Sequence, residues 1–207
     1  MIISDKYKYV FVELPRTGST AINKELIENY SGEEILHKHA TYREFLKSAT
    51  EEQKKYIVFS CIRNPIDRTV SLYFKMYAGL YDYKYQKKEK TLYEKYYLLP
   101  KLNFIKKGNV SFDEYLKKYY KFPYVDWSIL DHKNFDHVIR FENLNNDFKN
   151  VLNNVGLKIK RDLPSKNVTA SKGNYKDYLN SKSSNLYINT FGPTMKTLGY
   201  DMPLVNN

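Results

Sequence analysis

Residues 9–20 read YVFVELPRTGST, and this stretch decides the fold. Tyr9 to Leu14 is an apolar, β-type run that stops at Pro15. Arg16-Thr17-Gly18 is turn chemistry, and Ser19-Thr20 opens a helical pattern, AINKELIENY. A strand that turns sharply into a helix gathers unpaired backbone N–H groups at one point, which suits a phosphate or sulfate. Gly18 lets the backbone approach an anion closely. Arg16 adds a positive charge, and Ser19 and Thr20 add hydroxyl donors. The plainer alternative is a simple helix cap made by Thr17 or Ser19.

The same strand-then-helix pattern recurs. Tyr7–Leu14, Tyr56–Ile62 and His137–Phe141 are apolar runs expected as buried parallel strands. The first precedes a helix over Ser19–Tyr30. The second precedes one that opens at Asn64-Pro65, with proline suited to the first helical position. The third precedes one that starts near Asn145 and ends at Gly156, a C-terminal cap. A further helix is expected around Tyr42–Ser48. The fold class is α/β: a three-layer parallel sheet with flanking helices joined by right-handed crossovers. Leu80–Tyr124 breaks this rhythm, being dense in Tyr and Lys. It is expected as helical hairpins or long loops, either packing on the core or forming an acceptor-side surface. Leu186–Tyr200 is expected as a closing helix interrupted at Gly192-Pro193.

The length of 207 residues fits one domain over 1–207. The net charge of +11 calls for an anionic partner without choosing among nucleotide, nucleic acid, acidic glycan or membrane. The single cysteine, Cys61, excludes an internal disulfide and a cysteine-based zinc site. It sits in an apolar run, as a buried inert thiol would. There is no signal-peptide-like segment at the start and no apolar run long enough to span a bilayer, so the expected location is cytoplasmic.

Residues 15–20 are not a Walker A motif. Placing Gly18 at that motif's second glycine puts Glu13 at the first and Ser19 at the lysine, which disfavours an ordinary ATPase or GTPase. A second loop lies in residues 57–74, IVFSCIRNPIDRTVSLYF. Arg63 falls where the strand ends, and Ser71 lies on the following helix. An arginine fork with a hydroxyl at a strand's C-terminal edge suits a second phosphate, at the edge where α/β sheets bind ligands. A salt bridge from Arg63 to Asp67 is the alternative. Arg68 is read as a solvated surface charge.

Two phosphate-type loops on neighbouring strands, without a Walker A motif, resemble the sulfotransferase family. Pro15 to Thr20 look like its 5′-phosphosulfate loop. Arg63-Asn64-Pro65 with Asp67, Arg68 and Ser71 look like its 3′-phosphate site. VIRFENLNNDFKNVLNNVGL (138–157) is similar to its third strand and helix, and Asn167-Val168-Thr169 through Lys172-Gly173 and Tyr178 resemble its C-terminal cofactor loop. Leu198-Gly199-Tyr200 matches how many carbohydrate-type members end. The resemblance covers most of the chain outside the Tyr/Lys stretch. It implies a P-loop-like sulfotransferase fold, with 80–124 as a helical insertion over the acceptor side. It implies PAPS (3′-phosphoadenosine 5′-phosphosulfate) as cofactor, 3′,5′-adenosine bisphosphate (PAP) as product, and an acceptor hydroxyl on a sugar or acidic glycan. The cofactor-binding set it implies is Arg16, Thr17, Gly18, Ser19, Thr20, Arg63, Ser71, Asn167, Lys172 and Gly173. Many members carry lysine where this chain has Arg16. Arginine keeps the charge and holds oxyanions bidentately but is a poor proton donor, so its help to the leaving group would be electrostatic.

The acceptor needs a base, and histidine suits that task near neutral pH. His37 and His39 form H-K-H between the first two strand–helix pairs, and if extended they point to one side. That segment resembles the base segment of uronyl 2-O-sulfotransferases, and His39-Ala40-Thr41 resembles bacterial carbohydrate sulfotransferases. The catalytic set is therefore His39, then His37, with Arg16; Glu13 is the backup base. The plainer alternative is an exposed loop histidine. No Asp, Glu or Cys is spaced with the pair as a metal site requires, so no metal is expected. Two rival functions carry their own signatures. A single-stranded nucleic-acid module would use the interleaved Tyr and Lys. A nucleotide or nucleoside kinase would need a magnesium-binding Asp at a strand end.

Overall fold

A computed structural model describes residues 1–124, 131–164 and 174–203. The chain packs into two compact units: Met1–Arg63 with Asp126–Val168, and Asn64–Val125 with Thr169–Asn207.

The first unit is a five-stranded sheet with flanking helices. In chain order its elements are β1 (Ile2–Ser4), β2 (Tyr9–Val12), α1 (Ser19–Asn29), β3 (Glu33–Glu34), α2 (Tyr42–Ser48), β4 (Ile57–Ile62), β5 (His137–Arg140) and α7 (Leu144–Asn154). The strand order is β3-β1-β2-β4-β5. β2, β4 and β5 are parallel, with Tyr9 opposite Ile57 and Phe59 opposite His137. This α/β sheet is not parallel throughout, as the sequence had suggested. β1 runs antiparallel to β2, and β3 antiparallel to β1. The reason is local: Lys8 takes a left-handed φ of 56° and turns the chain back on itself, so the expected strand from Tyr7 begins at Tyr9.

Every residue of β2 is buried, as expected of a strand covered on both faces. Tyr9, Phe11, Phe59, Cys61 and Ile139 from the sheet join Ile22 and Leu26 of α1 and Phe148, Val151 and Leu152 of α7 in one core. Two sequence signals set the helix ends. Thr41 and Glu44 form a reciprocal capping box at α2. Past α7, Gly156 adopts φ 77° while its N–H and that of Leu157 bond back to Asn153 and Leu152.

The second unit is helical: α3 (Pro65–Tyr77), α4 (Tyr83–Gln86), a π-turn (Glu94–Leu98) running into α5 (Leu99–Lys106), α6 (Phe112–Tyr119) and α8 (Ser184–Thr197). Asn64 caps α3 by accepting from the N–H groups of Ile66 and Asp67, with Pro65 in the first turn. The core joins Ile66, Val70 and Met76 to Leu102, Tyr115, Leu116, Phe191 and Met195. The Tyr/Lys stretch is thus helical, and its tyrosines divide. Tyr115 and Tyr120 are core residues, while Tyr83, Tyr93 and Tyr96 are exposed. The expected break at Gly192-Pro193 does not occur. α8 continues through Pro193 to Thr197, and Thr197 Oγ1 donates to the Pro193 carbonyl. Among the described residues no helix is long and apolar enough to cross a membrane.

Candidate active site

The first unit assembles the strand-tip loop residue by residue. β2 ends at Val12, and α1 begins at Ser19. Between them Arg16 and Gly18 both adopt left-handed φ values, 71° and 83°. Two such residues so close together fold the turn tightly back toward the helix start. A Cβ on Gly18 would sit 3.1 Å from both Leu144 and Phe141, so the backbone lies directly on the β5–α7 junction.

The hydroxyls of this loop are used internally. Thr17 Oγ1 and Ser19 Oγ both donate to the Leu14 carbonyl, at 2.9 and 3.0 Å. Cys61 Sγ donates to the Thr17 carbonyl at 2.7 Å. Burial pushes the Cys61 thiol well above its ordinary range. Thr20 is exposed. At the α1 N-terminus Gly18 offers no side-chain acceptor, and the first turn holds no carboxylate. The amide dipoles there keep their positive end unneutralised by side chains of the helix.

Arg63 follows β4 directly and is 7 % exposed. Its Nη1 donates to the Arg16 carbonyl at 3.2 Å, and its guanidinium carbon lies 4.0 Å from the centre of the Phe141 ring. The parallel pairing of β2 and β4 brings their tips side by side, so Arg63 and the Arg16 loop meet at the sheet's C-terminal edge. Phe141 is a residue that sequence reasoning missed as part of the site. In the sequence it ends the apolar run His137–Phe141, and its position at that strand's end is its only signal.

The two histidines separate. The segment is not extended, because Leu36 and His39 have φ values of 55° and 68°. His37 is exposed; its Nε2 lies 3.0 Å from Glu44 Oε1 and its Nδ1 3.1 Å from the Lys38 carbonyl. Glu44 beside it raises its pKa, and Lys38's carbonyl adds to the effect. His39 is half-buried, with Nδ1 2.9 Å from the Glu13 carbonyl. A carbonyl only accepts, so Nδ1 carries the proton and Nε2 carries the lone pair. Burial lowers the His39 pKa. A neutral imidazole with an accepting Nε2, tied to the strand that leads into the loop, has the form a general base requires. Glu13 itself is buried, and its Oε1 accepts from the Met1 amino nitrogen and Asn23 Nδ2.

Ser71 lies buried on α3 in the second unit. Arg68, on the same helix, donates from Nη1 to Tyr124 Oη at 2.8 Å, so it is not the solvated charge the sequence suggested. Asn167, Lys172 and Gly173 lie outside the described residues.

A carboxylate-free helix start, a glycine pressed against the next loop and two arginines from adjacent parallel strand tips stand together at the C-terminal edge of an α/β sheet. The sulfotransferase family model matches residues 1–190, and the chain belongs to that family. No curated protein and no solved structure matches it. The activity class is thereby sulfuryl transfer.

Proposed function

We propose that this chain moves a sulfuryl group from PAPS to a hydroxyl of a carbohydrate acceptor. The observation that carries this reading is the junction of Arg63 with the Arg16 carbonyl beside the Gly18 turn. The residues fit such a donor: a helix start without side-chain acceptor or carboxylate is complementary to a phosphosulfate. Residues 15–20 serve as a shortened phosphate loop, with the α1 amides and Arg16 as its donors. Thr17 and Ser19 shape the loop through Leu14, and Thr20, exposed at its end, lends a hydroxyl. Arg63 with Ser71 holds the 3′-phosphate, and Asn167, Lys172 and Gly173 complete the cofactor contacts. PAPS held there would supply an electrophilic sulfur for the acceptor oxygen and a phosphate oxygen as leaving group. His39 Nε2 takes the acceptor's proton, and His37 is the alternative base. Arg16 stabilises the charge developing on the leaving phosphate oxygen. Residues 80–124 serve as the acceptor-side lid of one sulfotransferase domain. Catalysis is chiefly positioning and electrostatics.

A thermal-shift panel tests the cofactor without knowing the acceptor. A ligand at a hundredfold excess over its dissociation constant stabilises by about 2.7 kcal/mol. PAP should raise Tm strongly, while ATP, GTP and AMP should not. An equal or larger shift with ATP and magnesium would replace this reading with a kinase.

A further inference from the structure

Lys101 is the least ordinary side chain in the second unit. It lies on α5, is 2 % exposed, and its Nζ has no hydrogen-bond partner among the described residues. Aromatic rings surround it instead. Nζ lies 3.6 Å from the centre of the Tyr97 ring, 4.9 Å from that of Tyr120, and 5.5 and 5.8 Å from those of Tyr119 and Tyr115. A buried ammonium without a counter-charge is costly. Ring faces offset part of that cost, because their quadrupoles attract a cation. They leave its positive field unneutralised.

The Nζ itself is covered in this structure, but the residue stands in the wall of an open hollow. Lys101 lines a hollow of about 490 Å³, together with Tyr97, Tyr119, Tyr120, Lys118 and Lys121. Three lysines and no acidic side chain are among the described residues of its wall. Phe122, also in that wall, is 81 % exposed. Neighbouring lysines show what ordinary partnering looks like in this unit. Lys84 and Lys87 both pair with the buried Glu94, and Lys106 pairs with Asp82. Lys101 has rings where those lysines have carboxylates. Burial pushes its pKa down to about 8, so it stays mostly protonated at neutral pH.

We propose that this hollow is an anion site in which Lys101 holds a carboxylate or sulfate carried by a sugar ring, the ring lying against the tyrosine faces. The oxyanion supplies the counter-charge that none of the described residues supplies. The flat apolar face of a pyranose matches an aromatic wall, and Lys118 and Lys121 extend the positive field at the mouth. Lys101 is then the residue that distinguishes an anionic from a neutral sugar, because burying a neutral hydroxyl against an ammonium gains much less than burying a charge. As the acceptor side of the enzyme, the site rests on the sulfotransferase reading above; as an anion site it does not.

Binding is measured by calorimetry and ligand-observed NMR on the full chain, without PAPS, using three probes: methyl β-D-glucuronide, D-glucose 6-sulfate and methyl β-D-glucoside. At least one anionic probe should bind about tenfold or more tighter than the neutral one, and the stronger of the two tells carboxylate from sulfate. Lys101→Met should remove that preference. Lys121→Met, at an exposed position where folding is not at risk, should weaken it in part. No binding of either anion at tens of millimolar, or an unchanged preference in both variants, overturns the proposal. Tighter binding of oligouridylate than of either sugar anion, lost in Lys101→Met, also overturns it in favour of a nucleic-acid surface. PAP binding measured on the same samples keeps the two readings apart: PAP bound with no sugar preference sinks only the Lys101 site, and a sugar preference without PAP binding sinks only the donor assignment.

Discussion

Arg63 donates a hydrogen bond from its guanidinium to the backbone carbonyl of Arg16, 3.2 Å away, across the tips of two parallel strands. One arginine thereby fixes the path of the loop that carries the other. The guanidinium's remaining N–H groups and its face on Phe141 belong to the same planar group, which a lysine cannot reproduce.

Arg63→Ala should weaken PAP binding about tenfold or more, which calorimetry would read directly. Arg63→Lys should recover only part of that loss, since the charge returns without the fork or the stacking. Full recovery in the lysine variant would show that charge alone acts there.

Gly18→Ala combines two costs. The left-handed φ of 83° strains any Cβ, and that atom would meet Leu144 and Phe141 at 3.1 Å. Gly156→Ala has a similar φ of 77° and meets nothing within 4 Å. Urea denaturation should show a loss of about 1 kcal/mol at Gly156 and a larger one, about 2–4 kcal/mol, at Gly18. Equal losses would mean that the β5–α7 junction yields freely.

His39 and His37 should give opposite pH signatures. Burial lowers the His39 pKa, so the unfolded chain takes up that proton more readily than the folded one. Its contribution is complete above the unfolded value of about 6.5 and turns against folding as pH falls below it. The His37 pKa is raised by Glu44, so its contribution is present below about 6.5 and is lost as pH rises through its folded value. Tm measured from pH 5 to 8 should therefore lose part of its acid-side fall in His39→Gln. In the transfer assay, His39→Ala should cost about 10²–10⁴ in kcat and His37→Ala much less. The acid limb of kcat/KM should fall below the ordinary histidine range, and a reversal of the two variants would make His37 the base.

Cys61 should resist alkylation in the folded protein. Its thiol is buried, donates to Thr17 and is held protonated. Iodoacetamide labelling followed by mass should appear only with unfolding, along the same urea curve as the fluorescence. Rapid labelling without denaturant would show that the loop opens on its own.

Much of this architecture was legible in the sequence because local chemistry and tertiary packing agree. Asn64-Pro65 announces a helix start, and α3 begins there. The parallel trio follows from long apolar runs each trailed by a helix. The antiparallel edge did not show, because Ile2–Ser4 is three residues long and Glu33–Glu34 is two exposed acids with no apolar pattern. Arg16, Gly18 and Arg63 could be picked out by type and spacing. The role of Phe141 could not, since an aromatic residue at a strand end reads as core. Lys101 was hidden for a related reason: one lysine in a lysine-rich stretch looks solvated, and only the fold closes tyrosines around it.

The shared acceptor at Leu14 has a thermodynamic corollary. With Thr17 and Ser19 clamped to one carbonyl, and Arg63 and Cys61 to two more, the turn is ordered when the chain folds and not when a ligand arrives. Association there carries little entropic penalty from immobilising backbone. Severing those internal ties would show first in the temperature dependence of affinity, before any contact to the anion itself was lost.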